Sequence, residues 1–197
     1  MTGVVTGNTY DKYGSTNPVV KRLMARFERD LDDLFERAGA GGIRSLLDFG
    51  CGEGVLTHRW ALARPDARVV GVDLDGLQEE WAARTAPNLA FSTERAFADD
   101  EFDVVTAIEV LEHVSEPERE LADLARIGRR WLIASVPREP LWRALNLARG
   151  AYVRDLGNTP GHLNHWSRRA FLDLLGRHGE VVEARAPFPW TMALVRL

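Results

Sequence analysis

Cysteine is nearly absent from this chain. Its 197 residues include one, Cys51, which excludes an internal disulfide framework and points to a reducing compartment, the cytoplasm. No apolar run approaches the roughly 20 residues that a membrane span requires. Met1 to Tyr13 is polar and rich in Gly and Thr, without the apolar centre of a secretory signal. An excess of positive charge is also missing. The formal net charge of −4 counts against a dedicated nucleic-acid binder, although Arg129-Arg130 and Arg168-Arg169 remain as local basic pairs. There is no internal repeat and no low-complexity tract, which removes solenoids and compositional tails. What is present is 45% hydrophobic content, enough for one domain with a sizeable core and a short appendage, and too little chain for two full domains.

Apolar patterning supplies the architecture. Asn17-Pro18 has the form of a helix start, with Asn at the cap and Pro in the first turn. Leu23, Phe27, Leu31, Leu34 and Phe35 then recur at helical steps up to the Gly39–Gly42 break. Ile43–Phe49 reads as a buried strand, Val55–Ala63 as a helix, and Arg68–Val72 as a second strand ending at Asp73. The rhythm continues with a helix over Leu77–Arg84, a strand over Leu89–Phe91, a turn or helix to Ala98, and a strand over Phe102–Ile108. A helix over Glu116–Ile127 and a strand over Trp131–Val136 follow. Pro137–Trp166 breaks the pattern and exceeds an ordinary loop. After a helix from Ser167 to His178, strands over Glu180–Ala184 and Thr191–Leu197 suggest an antiparallel pair.

Strand-length apolar runs alternating with amphipathic helices imply an α/β, Rossmann-like doubly wound sheet. It should be mostly parallel, with a C-terminal antiparallel strand and helices on both faces. The expected organisation is one domain over 1–197. Residues 1–42 form an N-terminal helical segment, 43–136 a cofactor-binding core, 137–166 a lid-like insertion, and 167–197 a closing helix and strand pair.

The chemistry begins at the first strand. A strand, Gly-rich turn and helix let backbone approach a ligand and present unpaired N–H groups to it. Asp73, about 20 positions past the glycines, ends the second strand where ribose hydroxyls are held. The loop Gly50-Cys51-Gly52-Glu53-Gly54 is GxGxG, not the GxGxxG that cradles a pyrophosphate. Asp48 and Glu53 would repel a pyrophosphate but suit the ammonium and sulfonium of a methionine moiety. An adenosyl cofactor therefore fits better than a nicotinamide dinucleotide.

Leu46-Leu47-Asp48-Phe49-Gly50-Cys51-Gly52-Glu53-Gly54, Gly71-Val72-Asp73-Leu74-Asp75 and Phe102-Asp103-Val104-Val105 together resemble the class I S-adenosylmethionine-dependent methyltransferases, in their type 11-like branch. The resemblance covers roughly Ile43 to Val136. It implies that Asp48, Gly50, Cys51, Gly52 and Gly54 back the amino-acid moiety and that Asp73 holds the ribose. Leu74 would pack on the adenine, and Ala107 would line the methionine chain. Such enzymes often carry an acid after the third strand for the adenine amino group. This chain reads Phe91-Ser92-Thr93-Glu94 there, leaving Ser92, Thr93 and Glu94 as the candidates.

The fourth strand runs into Ile108-Glu109-Val110-Leu111-Glu112-His113. A helical turn would put Glu109, Glu112 and His113 on one side, and two carboxylates with an imidazole suit Mg²⁺, Mn²⁺, Fe²⁺ or Zn²⁺. His162 and His165 could complete such a set. This segment resembles the ubiquinone-biosynthesis O-methyltransferases. With the later His it also resembles the small-RNA 2′-O-methyltransferases, in which the positions matching Glu109, Glu112, His113 and His162 bind a metal. A metal-free base among His113, His162 and His165 is the rival reading, and a plain helix-capping role for the Glu residues is the third. Cys51 reads as packing.

In the insertion, Pro140–Arg149 patterns as a short amphipathic helix and Gly157–Gly161 as a hinge, the arrangement of a lid. Trp142, Tyr152 and Trp166 offer stacking surface, and Arg143, Arg149 and Arg154 could meet an anion. The N-terminal helix, with Tyr10, Tyr13 and Asn17 before it, is a candidate to close over the cofactor. The reading is a methyltransferase, with S-adenosylmethionine and optionally a divalent metal as cofactors. Its acceptor would be a small-molecule hydroxyl on a sugar-, quinone- or lipid-linked metabolite. RNA and a nicotinamide-dependent oxidation are the alternatives. Peripheral lipid contact stays open, and nothing in the sequence sets an oligomeric state.

Overall fold

The computed structural model describes residues 16–39, 42–74 and 76–197. Tyr10, Tyr13 and Asp75 lie outside them. Helix α1 (Pro18–Gly39) starts where its capping chemistry puts it: the Asn17 side chain accepts from the Val19 N–H at 2.9 Å, and Pro18 needs no donor partner in the first turn. Its apolar stripe, including Phe27, Leu31, Leu34 and Phe35, is buried.

The chain continues as β1 (Ser45–Phe49), α2 (Val55–Ala63), β2 (Arg68–Val72), α3 (Gln78–Ala82), β3 (Leu89–Ser92), β4 (Phe102–Ile108), α4 (Pro117–Ile127) and β5 (Gly128–Pro137). Then come α5 (Leu141–Ala148), α6 (Arg168–Leu175), β6 (Glu180–Arg185) and β7 (Trp190–Arg196). Helix α3 is shorter than the apolar pattern suggested, and no helix forms between β3 and Ala98. The Ser167 hydroxyl caps α6 by accepting from the Ala170 N–H at 3.2 Å, and the helix ends before His178.

Among the described residues, seven strands form one sheet in the order β3-β2-β1-β4-β5-β7-β6. The first five pair in parallel, and β7 runs antiparallel to both β5 and β6. The α/β, Rossmann-like class is thus observed, including the antiparallel C-terminal strand. Alternation along the central strands feeds two cores. Val105 and Ala107 face Leu121, Leu124 and Phe171, whereas Val104 faces the side of Phe27, Leu31 and Trp60. Because helices cover both faces, β1, β2, β4 and β5 read as nearly unbroken apolar runs. The strand order reverses between β1 and β4. In such a sheet the crevice beyond the carboxyl ends of those two strands is the place for a ligand.

Candidate functional site

At the end of β1 the chain turns sharply. Gly50, Gly52 and Gly54 have φ of 71°, 53° and 74°, the left-handed region that side-chain-bearing residues rarely enter. Space enforces the same choice. A Cβ on Gly50 would overlap the Val110 side chain, and one on Gly54 would lie 2.5 Å from Phe91 Cζ. The Gly50 and Cys51 N–H groups both donate to the Val72 carbonyl, at 2.8 and 3.1 Å, which anchors the turn to β2.

Asp73 stands beside this loop. Its Oδ2 accepts from the Gly52 N–H at 2.6 Å and its Oδ1 from the Leu74 N–H at 2.7 Å, so the carboxylate orientation is fixed by backbone. Leu74 is 48% exposed at the rim, and Glu53 is exposed. Ser92 Oγ accepts from the Glu94 N–H at 2.9 Å, closing a local turn after β3. Ala107 is buried at the end of β4, opposite Phe49.

Asp48 is placed differently from its sequence reading: it lies beneath the loop, 3% exposed, not on its surface. It accepts from Thr57 Oγ1 at 2.5 Å and Thr106 Oγ1 at 2.7 Å, fastening the first turn of α2 to β1 and β4. Burial pushes its carboxyl up from 3.8 to about 6. The two hydroxyl donors oppose that rise, and the Asp73 charge adds to it. Burial also raises the Cys51 thiol, with help from the charges of Asp48 and Asp73, so its packing role is the chemically sensible one.

On the other side of Gly50 lies the turn that follows β4. Glu109 has φ 60°, so the chain bends there, and before α4 residues 110–113 close only a single turn, the His113 N–H donating to the Val110 carbonyl at 2.9 Å. The helical face expected to carry Glu109, Glu112 and His113 is therefore not formed, and Glu109 is not in the group of ligand atoms found together. Glu109 Oε2 instead accepts from Trp190 Nε1 at 2.6 Å, a partner 81 residues away. His162 takes the third place: ligand atoms of Glu112, His113 and His162 all lie within 4.8 Å of one another, with Glu112 and His162 buried. The His113 and His162 rings meet edge to face, with centroids 4.8 Å apart. His165 is not in this group. It is exposed, and its Nε2 lies 2.6 Å from Asn158 Oδ1.

His162 arrives there because the end of the insertion is pinned to the β4 turn. The Glu112 carbonyl accepts from the Leu163 and Asn164 N–H groups at 2.7 and 3.1 Å. Asn164 Nδ2 donates to the carbonyls of Leu111 and Val114 at 3.1 and 2.6 Å. The Gly161 carbonyl lies 3.0 Å from His113 Nδ1. A carbonyl can only accept, so Nδ1 carries the proton and the neutral ring keeps its lone pair on Nε2. Further back, Trp142 Nε1 donates to Thr159 Oγ1 at 2.9 Å and buried Asn146 donates to the Gly157 carbonyl at 2.8 Å. The Gly157–Gly161 turn read as a hinge is thus tied to α5. Arg143 and Arg149 hydrogen-bond within the insertion, to the Leu156 carbonyl and Asn146 Oδ1.

Two aromatic residues escaped the sequence reading. Trp190 binds Glu109 and packs on Phe27 and Trp142, while Trp81 stacks on Phe91 beside the glycine loop. Their only signal in the sequence was bulk.

A family model described as a methyltransferase domain matches residues 20–184. The ubiquinone biosynthesis O-methyltransferase of Methylococcus capsulatus is 33% identical over 160 residues, 69% of this chain and 66% of that protein. The protein of that name from Hahella chejuensis is 31% identical over 176 residues, 76% of this chain and 71% of its own. The match therefore spans about two thirds of the length of these relatives. Among solved structures, magnesium protoporphyrin IX methyltransferase from Synechocystis PCC 6803 with bound SAH superposes with a TM-score of 0.64. It is 20% identical, with 93% of this chain and 89% of that chain covered, a likeness of fold.

Proposed function

Because the chain belongs to the methyltransferase-domain family, we propose that it is an S-adenosylmethionine-dependent O-methyltransferase whose acceptor is a small molecule bearing neighbouring hydroxyls, of the quinone-precursor class. The observation that carries this is the meeting of Glu112, His113 and His162 at the turn whose Val110 packs on Gly50. A carboxylate and two imidazoles beside the glycine loop, near the switch point of the sheet, support a proton-accepting role.

The loop and Asp73 would hold the cofactor. Asp73 has two oxygens already oriented by backbone N–H groups and retains lone pairs for the ribose hydroxyls. At the reaction side, His113 keeps its lone pair on Nε2 through its contact with Gly161, and buried Glu112 and His162 flank it. Such a set takes a proton from an acceptor hydroxyl as oxygen attacks the methyl carbon in line. It also fits a divalent cation: one carboxylate and two imidazoles, with an outer-shell hydrogen bond on one ring, are an ordinary ligand set for Mn²⁺ or Zn²⁺. A bound cation would lower the acceptor hydroxyl's pKa and orient the pair. Glu109 is outside the three-residue group, with its Oε2 held by Trp190 Nε1. Residues 137–166 would act as the cover over the acceptor, with Trp142 as a stacking face beside His162, the ring centroids 6.3 Å apart.

The test is calorimetric titration of Mn²⁺, Mg²⁺ and Zn²⁺ into chelator-stripped protein saturated with S-adenosylhomocysteine, beside His162→Ala, followed by methyl transfer to a catechol probe. Binding near one equivalent that His162→Ala abolishes supports the metal-held hydroxyl pair. Transfer without metal binding selects the histidine base. Absence of transfer to any vicinal diol, with cofactor bound, rejects the acceptor class.

A further inference from the structure

Gly52 stands at the tip of the glycine loop, and it is held from both sides. Its N–H donates to Asp73 Oδ2 at 2.6 Å, and its carbonyl accepts from Trp81 Nε1 at 2.9 Å. Trp81 is 8% exposed on α3 and lies flat on Phe91 of β3, with ring centroids 5.3 Å apart and planes 9° apart. Phe91 in turn fills the room that two glycines leave: a Cβ on Gly54 or Gly71 would come within 2.5 or 2.6 Å of its ring atoms. Two stacked rings thus run from the sheet to the loop, and the outer one ends in a donor to the Gly52 carbonyl.

We propose that Trp81 is a positioning residue for the adenosyl cofactor: its indole N–H, backed by Phe91, fixes the Gly52 peptide of the loop that faces the amino-acid part of the cofactor, while Asp73 on the ribose side has its own anchor in the Leu74 N–H. The proposal rests on the cofactor reading above and adds a residue to it. A loop with three left-handed glycines has wide conformational freedom when untethered, and freezing it on binding costs affinity. A brace made before binding removes most of that cost. Packing alone does not account for Trp81, because Phe or Leu would cover Phe91 without reaching the Gly52 carbonyl.

The experiment compares wild type with Trp81→Phe, which keeps a ring on Phe91 and loses the donor. Two ligands are titrated by calorimetry: S-adenosylhomocysteine, and 5′-methylthioadenosine, which keeps adenine and ribose but lacks the amino-acid part that faces the loop. The expected result is S-adenosylhomocysteine weakened about fivefold, the worth of one hydrogen bond, with methylthioadenosine changed by less than about twofold. Equal weakening of both ligands would mark a general structural role and overturn the proposal, as would unchanged affinity for both. Hydrogen exchange of the Trp81 indole N–H on the unaltered, ligand-free chain is the second measurement. That proton should be protected by the Gly52 carbonyl, and its free exchange would remove the brace whatever the variant does. Wild-type protein that bound neither ligand would overturn the cofactor reading and this proposal with it. That outcome is distinct from a wild type that binds beside an indifferent variant.

Discussion

Replacing Asp48 by Asn removes an ionisable group that the fold holds away from water, and the consequence for stability has a definite sign. Burial raises the carboxyl from 3.8 to about 6, despite two hydroxyl donors that favour the charge. At about 1.4 kcal/mol for each factor of ten in proton affinity, that difference is worth about 3 kcal/mol. The folded chain binds the proton more tightly than the unfolded chain, so this contribution is present below about pH 4. It is lost as pH rises towards 6, and is constant above that. Asn does not titrate, and Thr57 and Thr106 can each donate or accept, so the variant keeps a satisfied centre. Urea unfolding followed by tryptophan fluorescence gives both stabilities as a function of pH. The variant-minus-wild-type difference should grow by about 2–3 kcal/mol in the variant's favour between about pH 4 and pH 7.5. A difference flat across that range would show that Asp48 ionises normally in the folded chain, and the account of its burial would be wrong.

Three further outcomes follow from the packing and the hydrogen bonds. Asn164→Ala deletes the donors to Leu111 and Val114 and should cost about 1–3 kcal/mol locally. Hydrogen exchange should then rise over 158–166 while the sheet stays protected, and unchanged exchange there would mean that the insertion is pinned by something else. Cys51, its thiol raised by burial and by Asp48 and Asp73, should react with iodoacetamide at least about tenfold more slowly in the folded chain than in urea. Comparable rates would contradict its packing role. Phe171→Ala empties a fully buried place in the core between α6 and the sheet and should cost about 3–5 kcal/mol in urea unfolding. A loss below about 1 kcal/mol would show that the neighbours collapse into the space.

The parts of the molecule legible in the sequence are those set by neighbours along the chain. Helix α2 and strands β2 and β4 fall where the apolar runs and glycines end them, and Asn17-Pro18 starts α1 as capping requires. The parts that were not legible depend on partners far away. Spacing alone put Glu109 on a face with Glu112 and His113. The left-handed backbone at Glu109 and the indole of Trp190 decided otherwise. Asp48 carried the charge expected of a ligand contact, but which side of the loop it faces depends on Thr57 and Thr106. His162 was legible as a chemical type. Its place beside His113 depends on Asn164 and the backbone bonds around Glu112, which no local pattern announces.

Strand β7 follows the other six in chain order, yet it lies between β5 and β6 and is buried along nearly its whole length. The sheet therefore cannot close by simple accretion as the chain emerges during synthesis. Until residues 190–196 arrive, β5 presents an open edge, and Trp190 is missing from the contacts that hold Glu109 and Trp142. A nascent chain can assemble β1 to β5, and with them the glycine loop, before the contacts of Trp190 with Glu109 and Trp142 are in order. Such late, non-local pairing slows the final step of folding and leaves β5 open to wrong partners in the interval.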